Sequence, residues 1–162
     1  MSTVLERARG AEKWARVADG YAWLPSPKRG GVLYQRMRRY DPAVPPNAQA
    51  WLALDEQKRI DLIREYHQSS GISLPSIEAH ATAHVVVENQ LAEGLPAAVN
   101  AFGRLTLAGL DRHEAVHAIG AVLMNHLWNL ANGPLPSGDT NQAYFAALDA
   151  LTRESWENGG ES

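Results

Sequence analysis

PSIEAHATAHVVVENQLAEG, residues 75–94, is the stretch of sequence that decides most of the fold. Proline suits the first turn of a helix and glycine suits its end, so Pro75 and Gly94 predict the limits of one long helix. Val85–Val87 favours a strand in isolation, but the length and periodicity of the stretch favour a helix. One face of this helix carries Ile77, His80, His84, Val87, Glu88 and Leu91. We therefore expect two histidines and a glutamate to face the protein core.

DRHEAVHAIGAVLMNHLWNLANG, residues 111–133, predicts a second long helix. Asp111 and Glu114 have the spacing of an acidic capping box at its start. One face of this helix carries His113, His117, Gly120, Met124 and Leu127. Gly120 removes side-chain bulk at a point where a neighbouring helix could approach closely. His126 points away from this face, so it is not part of the predicted site.

Weaker helical patterns flank these two segments. Thr3 and Glu6 have capping-box spacing and open a pattern that ends at Gly20. Further helices are predicted from Asp55 to His67 or Gln68, from Pro96 to Gly109, and from Asp139 or Thr140 to about Trp156. The segment from Tyr21 to Asn47, with five prolines, predicts an irregular arm with at most one short strand or turn of helix.

Short connections force successive helices to pack side by side. We therefore predict an all-α fold, a small bundle of about five to six helices with an irregular N-terminal arm. The length of 162 residues suits a single domain. Within it we expect the N-terminal helix and arm over 1–46, the helical core over 47–157 and a polar tail over 158–162.

Composition narrows the functional classes. The chain has 15 Lys and Arg against 18 Asp and Glu, and this net charge of -3 argues against a protein that binds nucleic acid over its whole surface. It has no cysteine, so a metal ligand must be histidine, carboxylate, carbonyl or water. The N-terminus lacks the apolar core of a signal peptide, and no apolar run reaches membrane-spanning length. We expect a cytoplasmic protein.

Two His-x-x-x-His pairs give the strongest chemical signal. His80 with His84, and His113 with His117, each lie one helical turn apart, so each pair can close on one ion. Imidazole ligands suit a divalent transition metal, and we expect zinc or iron. Glu88 lies one turn beyond His84 and could be a ligand, an acceptor for an imidazole N–H, or the partner of a buried cation. The alternative is that these are structural histidines that pair with carbonyls and with each other.

His113-Glu114-x-x-His117 also matches the zincin protease signature, in which the glutamate activates water. Glu154 or Glu157 could supply a third ligand, and Glu114 would be the catalytic base. Three features argue against a zincin: an alanine follows the glutamate, no sheet is predicted, and Glu114 has a role as a helix cap. A ferritin-like site would need a second inward-facing Glu-x-x-His, and the chain has none.

These residues resemble a family of small bacterial proteins known only as a domain of unknown function. The similar segments are Ala79–His84, Glu88–Leu91, Arg112–Ala118 and Leu127–Trp128, and together they span roughly residues 74–132. The resemblance implies that the two histidine pairs and Glu88 matter more than Glu114. It implies no activity, and the arm and the last helix lie outside it.

Two other hypotheses concern partners. Basic residues in the arm alternate with tyrosines in a way that could bind nucleic acid or another anionic partner, and these are Lys28, Arg29, Arg36, Arg38 and Arg39. Alternatively, the tryptophans and the arm would serve a scaffold or a homo-oligomer. His67 lies at a predicted helix end, where it would complement the helix dipole, so we leave it out of the predicted site.

Overall fold

A computed structural model describes the backbone of two short strands, together with residues 39–71, 76–134 and 137–159. The chain forms two compact units, Met1–Tyr34 and Gln35–Ser162. Each unit is described by itself, and the single domain predicted over residues 1–162 stays a prediction.

The first unit contains an antiparallel hairpin of β1 (Lys13–Val17) and β2 (Gly20–Leu24). The helix predicted from Thr3 to Gly20 is therefore wrong over β1. Trp14 pairs with Trp23, and Val17 pairs with Gly20, which leaves two residues between the strands. Aromatic and β-branched residues favour strands, and a two-residue connection is typical of hairpins. These local preferences outweigh the helical spacing of the apolar residues.

The second unit is all-α in the residues that the structure describes, which confirms the predicted fold class. Its helices are α1 (Ala48–Leu52), α2 (Glu56–Ser69), α3 (Ile77–Glu93), α4 (Pro96–Leu107), α5 (Arg112–Asn132), α6 (Asn141–Ala150) and α7 (Arg153–Gly159). Seven helices replace the five or six predicted, partly because the predicted last helix is broken at Leu151. The backbone of Leu151 is extended, and Thr152 and Ser155 exchange side-chain hydrogen bonds with each other's backbone N–H groups.

Side-chain caps fix the ends of the helices that carry the histidines. The Asp55 and Ser76 side chains accept backbone N–H bonds at the starts of α2 and α3. Asp111 and Glu114 form the predicted capping box at the start of α5. Gly94 ends α3 with φ at 73°, a conformation that favours glycine. Pro75 lies outside the described residues.

Helix α3 is central, since it packs against α1, α2, α4 and α5. It contributes Ala81 and Val85 to one apolar cluster, which also contains Trp51 and Ile63. It contributes Val87 to a second cluster shared with α4, α5 and α6. The polar residues His84 and Glu88 of α3 are therefore buried among apolar side chains. None of the described helices combines the length and apolar character needed to cross a membrane.

Candidate metal centre

Five histidines from three helices converge in the second unit. Helix α2 supplies His67, α3 supplies His80 and His84, and α5 supplies His113 and His117; together we call them the histidine cluster. Neighbouring ring centroids are separated by distances that range from 4.2 Å for His113 and His117 to 5.9 Å for His67 and His117. The structure thus places all four sequence-predicted histidines beside one another and adds a fifth.

Four of these imidazoles could hold a metal ion. His67, His80, His84 and His117 each offer a ring nitrogen, and these four atoms all lie within 4.8 Å of one another. The Nε2 atoms of His67 and His80 are 3.2 Å apart. Two nitrogens bound to one tetrahedral zinc at 2.0–2.1 Å would be about 3.3–3.4 Å apart. This pair therefore already matches one edge of the tetrahedron, and the widest pair would shorten by roughly 1.4 Å to match it.

Several ring nitrogens of the cluster are buried without a hydrogen-bond partner. They are His84 Nδ1, His84 Nε2, His113 Nε2 and His117 Nε2. His84 is only 2% exposed, so solvent does not readily serve its two nitrogens. A buried unpaired polar atom costs about 1–3 kcal/mol, and most such atoms in proteins have partners. The chemistry of these atoms fits a bound metal ion, because one ion accepts lone pairs from several imidazoles at once.

Burial keeps the histidine cluster uncharged. Desolvation, with a further contribution from neighbouring imidazoles, lowers the pKa of His67 to about 4 and that of His117 to about 3. The same two causes lower the pKa of His84 and of His80. Burial also lowers the pKa of His113, although nearby Asp111 partly opposes it. The neutral imidazole is the form that binds metals, so protonation does not oppose metal binding by these residues at neutral pH.

His67 is the member that sequence reasoning missed. It is 1% exposed, although its position near the end of α2 suggested only an interaction with the helix dipole. A signal was present, since Ile60, Ile63 and His67 follow at spacings of three and four residues and share one helical face. His126 lies outside the cluster and stacks on Tyr144, with ring centroids 5.5 Å apart.

Glu88 belongs to a buried ion-pair network rather than to the group of four histidines. Arg112 donates from Nη1 to Glu88 Oε1 at 2.8 Å and from Nη2 to Oε2 at 2.7 Å. The Tyr40 hydroxyl donates to Oε1 at 2.5 Å, and Arg112 also donates to the carbonyl of Pro42. Of the three roles considered for Glu88, the geometry matches the partner of a buried cation.

The electrostatics of this network keep Arg112 charged and Tyr40 neutral. Burial alone would lower the pKa of Arg112, but its hydrogen bonds and charge interaction with Glu88 raise it overall. Burial raises the pKa of Tyr40 far above its ordinary value, and the adjacent Glu88 carboxylate raises it further. Tyr40 therefore remains a neutral donor. The network joins the segment before α1 to both α3 and α5, one turn from His84 and next to His113.

Glu114 is occupied at the start of α5. Its Oε2 accepts the backbone N–H of Asp111 at 3.0 Å, its own N–H donates to Asp111, and its side chain is exposed. Glu157, one of the two candidate third ligands of a zincin, pairs with Arg153 at 2.6 Å. The geometry therefore gives Glu114 a capping role, and we do not propose a zincin mechanism.

A cleft of about 440 Å³ opens directly beside the histidine cluster. Three of its lining residues are members of the cluster, His80, His84 and His117. The others are Ala79, Ala83, Val116, Gly120, Ala121, Met124 and Trp156. A methyl group added at Gly120 would make ordinary contacts with Ala83 and Val87 at 3.9 and 4.0 Å. The main consequence of Gly120 is therefore a more open cleft, and close helix packing does not require it.

The basic residues of the arm bear on the anionic-partner hypothesis only through Arg39, which is exposed. The other four, Lys28, Arg29, Arg36 and Arg38, lie outside the described residues. Binding of nucleic acid or another anionic partner stays a prediction.

No protein-family model, curated protein or solved structure matches this chain. The resemblance to a bacterial family of unknown function therefore stays a prediction. What the histidine cluster does has to be inferred from its geometry.

Proposed function

We propose that this protein binds one divalent transition-metal ion, zinc or iron, through His67, His80, His84 and His117. The observation that carries the proposal is the grouping of four neutral imidazole nitrogens within 4.8 Å. Three helices supply these residues, so the bound ion would also join α2, α3 and α5. His113, whose ring adjoins His117, would support the site from one side.

The hydrogen bonding favours this proposal over structural histidines. In a structural role, buried imidazoles pair with carbonyls, carboxylates or each other. Among the described residues, only His67 and His80 make such a bond within the cluster, at 3.2 Å. His84 is only 2% exposed, and neither of its nitrogens has a partner. A single ion would bind one nitrogen of each of His84, His117 and their neighbours.

The cleft favours an ion with an exchangeable ligand. Four protein ligands close a tetrahedral zinc site, so an exchangeable ligand here requires an ion that takes a fifth ligand, as zinc does in some sites. Here His80, His84 and His117 all border the cleft, so a small molecule could reach an ion held by them. When bound there, such an ion would supply Lewis acidity or an activated water. The chain's own residues would orient the ion and surround its open side with apolar groups.

Metal analysis of two histidine variants tests the proposal. The protein is purified without a histidine tag and loaded with zinc or iron before dialysis. We expect about one ion per chain in the wild type and in His126→Ala, because His126 lies outside the cluster. His84→Ala and His67→Ala should each lose most of the metal while circular dichroism shows that they remain helical. Equal metal content in folded His84→Ala and in the wild type would overturn the proposal.

A scaffold or self-association role is the second candidate, favoured by apolar residues that α5 exposes. Met124, Leu127 and Trp128 share one face and are 41%, 47% and 67% exposed. Spacings of three and four residues make them one stripe, of the kind that marks interaction sites. The occupant we consider is a second copy of this chain. Sedimentation of the wild type and of Trp128→Glu would test it, since only the wild type should form dimers.

A further inference from the structure

The cleft beside the histidine cluster has an unusual combination of lining groups. Its polar atoms are supplied by His80, His84 and His117, and its remaining walls are aliphatic, thioether or indole side chains. Within the part of the chain that the structure describes, no lysine, arginine, aspartate or glutamate lines it. A molecule that fills the cleft therefore meets imidazoles or a metal at one end and apolar surface elsewhere.

The charge of the proposed site is unbalanced. A divalent ion held by neutral imidazoles keeps both positive charges, because histidine ligands contribute none. The nearest buried carboxylate is Glu88, and both of its oxygens are bound by Arg112. Among the residues that the structure describes, the group that could hold the ion consists of histidines alone and includes no carboxylate. An anionic donor from outside the protein would offset this charge in a low-dielectric site.

We propose that the cleft binds a small apolar carboxylate, whose oxygen binds the metal and whose hydrocarbon part packs against Val116, Met124 and Trp156. The inference rests on the proposed metal site. His84 connects the ion to the cleft, since this ring lines the cleft, is 2% exposed and has two unpaired nitrogens, one of which can bind the metal. The apolar wall of the cleft would favour the hydrocarbon part of the ligand. The positive charge of the ion would favour its carboxylate group.

Benzoate is the probe, and the cobalt(II)-loaded full chain is the reporter, because cobalt absorption in the visible range responds to a change of ligand. Loading is verified first, without benzoate. We then expect benzoate to shift the spectrum and to bind at least about tenfold more tightly than acetate, which has the same charged group but little apolar surface. Benzamide, a neutral molecule of similar shape, should bind at least about tenfold more weakly than benzoate.

Two tryptophan substitutions on α5 provide the matched variants. Ala121 is exposed at the surface of α5 and lines the cleft, so Ala121→Trp should fill it. Ala131 is exposed on the same helix and does not line the cleft, so Ala131→Trp is the control. Both should bind cobalt like the wild type. Only Ala121→Trp should lose benzoate affinity, by about tenfold or more.

The outcomes separate this inference from the metal proposal. If cobalt binds but benzoate does not, or if both tryptophan variants bind benzoate equally, the carboxylate inference is wrong and the metal site stands. Benzoate that binds equally well to metal-free protein would also overturn it, because the charged end would not need the ion. Failure of the chain to bind cobalt at all would overturn the metal proposal and the inference together.

Discussion

Two buried polar groups lie side by side between α3 and α5, and they differ in how their atoms are satisfied. In the network of Tyr40, Glu88 and Arg112, each carboxylate oxygen accepts at least one hydrogen bond. In the histidine cluster, one turn along α3, both nitrogens of His84 lack a partner. The network is complete within the chain, whereas the cluster becomes complete only with something from outside. This difference is why we propose a structural role for the network and a binding role for the cluster.

Breaking the network should have the largest effect on stability. Arg112→Met leaves the Glu88 carboxylate, which is 1% exposed, without its cation. Removal of one partner from a buried ion pair typically costs about 3–5 kcal/mol. We expect a loss of this size in the free energy of unfolding, measured in urea.

Arg153→Met is the control for this change, because its ion pair with Glu157 is about half exposed on both sides. Its loss should stay below about 1 kcal/mol. Equal losses in the two variants would show that the buried network contributes no more than a surface pair. Replacing Glu88 by leucine in addition to Arg112→Met should recover part of the stability.

Removal of the metal should have the next largest effect. At an ion concentration of about 100 times Kd, binding to the folded state adds about 2.7 kcal/mol. For a chain of this size, chelation should lower Tm by about 5–10 °C. Differential scanning calorimetry with and without chelator measures the shift. His84→Ala should show no shift in Tm. A wild-type Tm that the chelator leaves unchanged would contradict the comparison.

Acid should destabilise the metal-free protein through the cluster. The folded-state pKa of His67 is about 4 and that of His117 about 3, against an ordinary value of 6.5. Because the unfolded chain binds protons first, stability is full above about pH 6.5 and falls as the pH drops toward 4. From pH 7 to 5 we expect His67 to contribute a loss of about 2 kcal/mol and half-buried His117 a smaller one, since solvent screens part of the share of His117.

Urea unfolding of the metal-free protein at several pH values measures this loss. His67→Gln should have a shallower dependence, because it removes one of the shifted groups. A stability that is constant from pH 7 to 5 would show that these imidazoles titrate normally in the folded protein.

The smallest effect on the free energy of unfolding should be a gain in the metal-free protein and a loss in the metal-bound protein. His84→Leu removes two unpaired nitrogens from the core, so the metal-free variant should be more stable than the metal-free wild type by about 1 kcal/mol. With metal present, the variant should be less stable than the wild type, because it loses a ligand. Unfolding in urea, with and without zinc, checks both signs. A variant that is less stable in both states would mean that the His84 ring is already satisfied without an ion.

The sequence predicted those features of the fold that depend on neighbouring residues. Capping by Asp55, the capping box at Asp111 and the stop at Gly94 were all confirmed, because each is a short-range hydrogen-bonding or backbone preference. Spacings of four residues likewise placed His80 with His84 and His113 with His117. The hairpin was missed because helical spacing and strand preference coincide over Lys13–Val17.

The tertiary partners could not be predicted in the same way. Periodicity shows that Glu88 faces inward, but it does not show that Arg112 and Tyr40 will meet it, 24 and 48 residues away in the chain. His67 joins the histidine cluster because α2 packs against α3, and local sequence patterns do not specify this packing. The helix breaks at Leu151 because Thr152 and Ser155 cap the next helix, and the cap depends on backbone geometry that apolar periodicity does not specify.

X-ray absorption of the zinc-loaded protein tests the central claim most directly, because it reports the atoms bound to the ion. We expect a nitrogen shell at about 2.0–2.1 Å with the scattering signature of several imidazole rings. In His84→Ala, this signature should weaken or the zinc should be lost. An oxygen shell without imidazole scattering, or a spectrum unchanged in His84→Ala, would contradict the claim that the histidine cluster holds the metal.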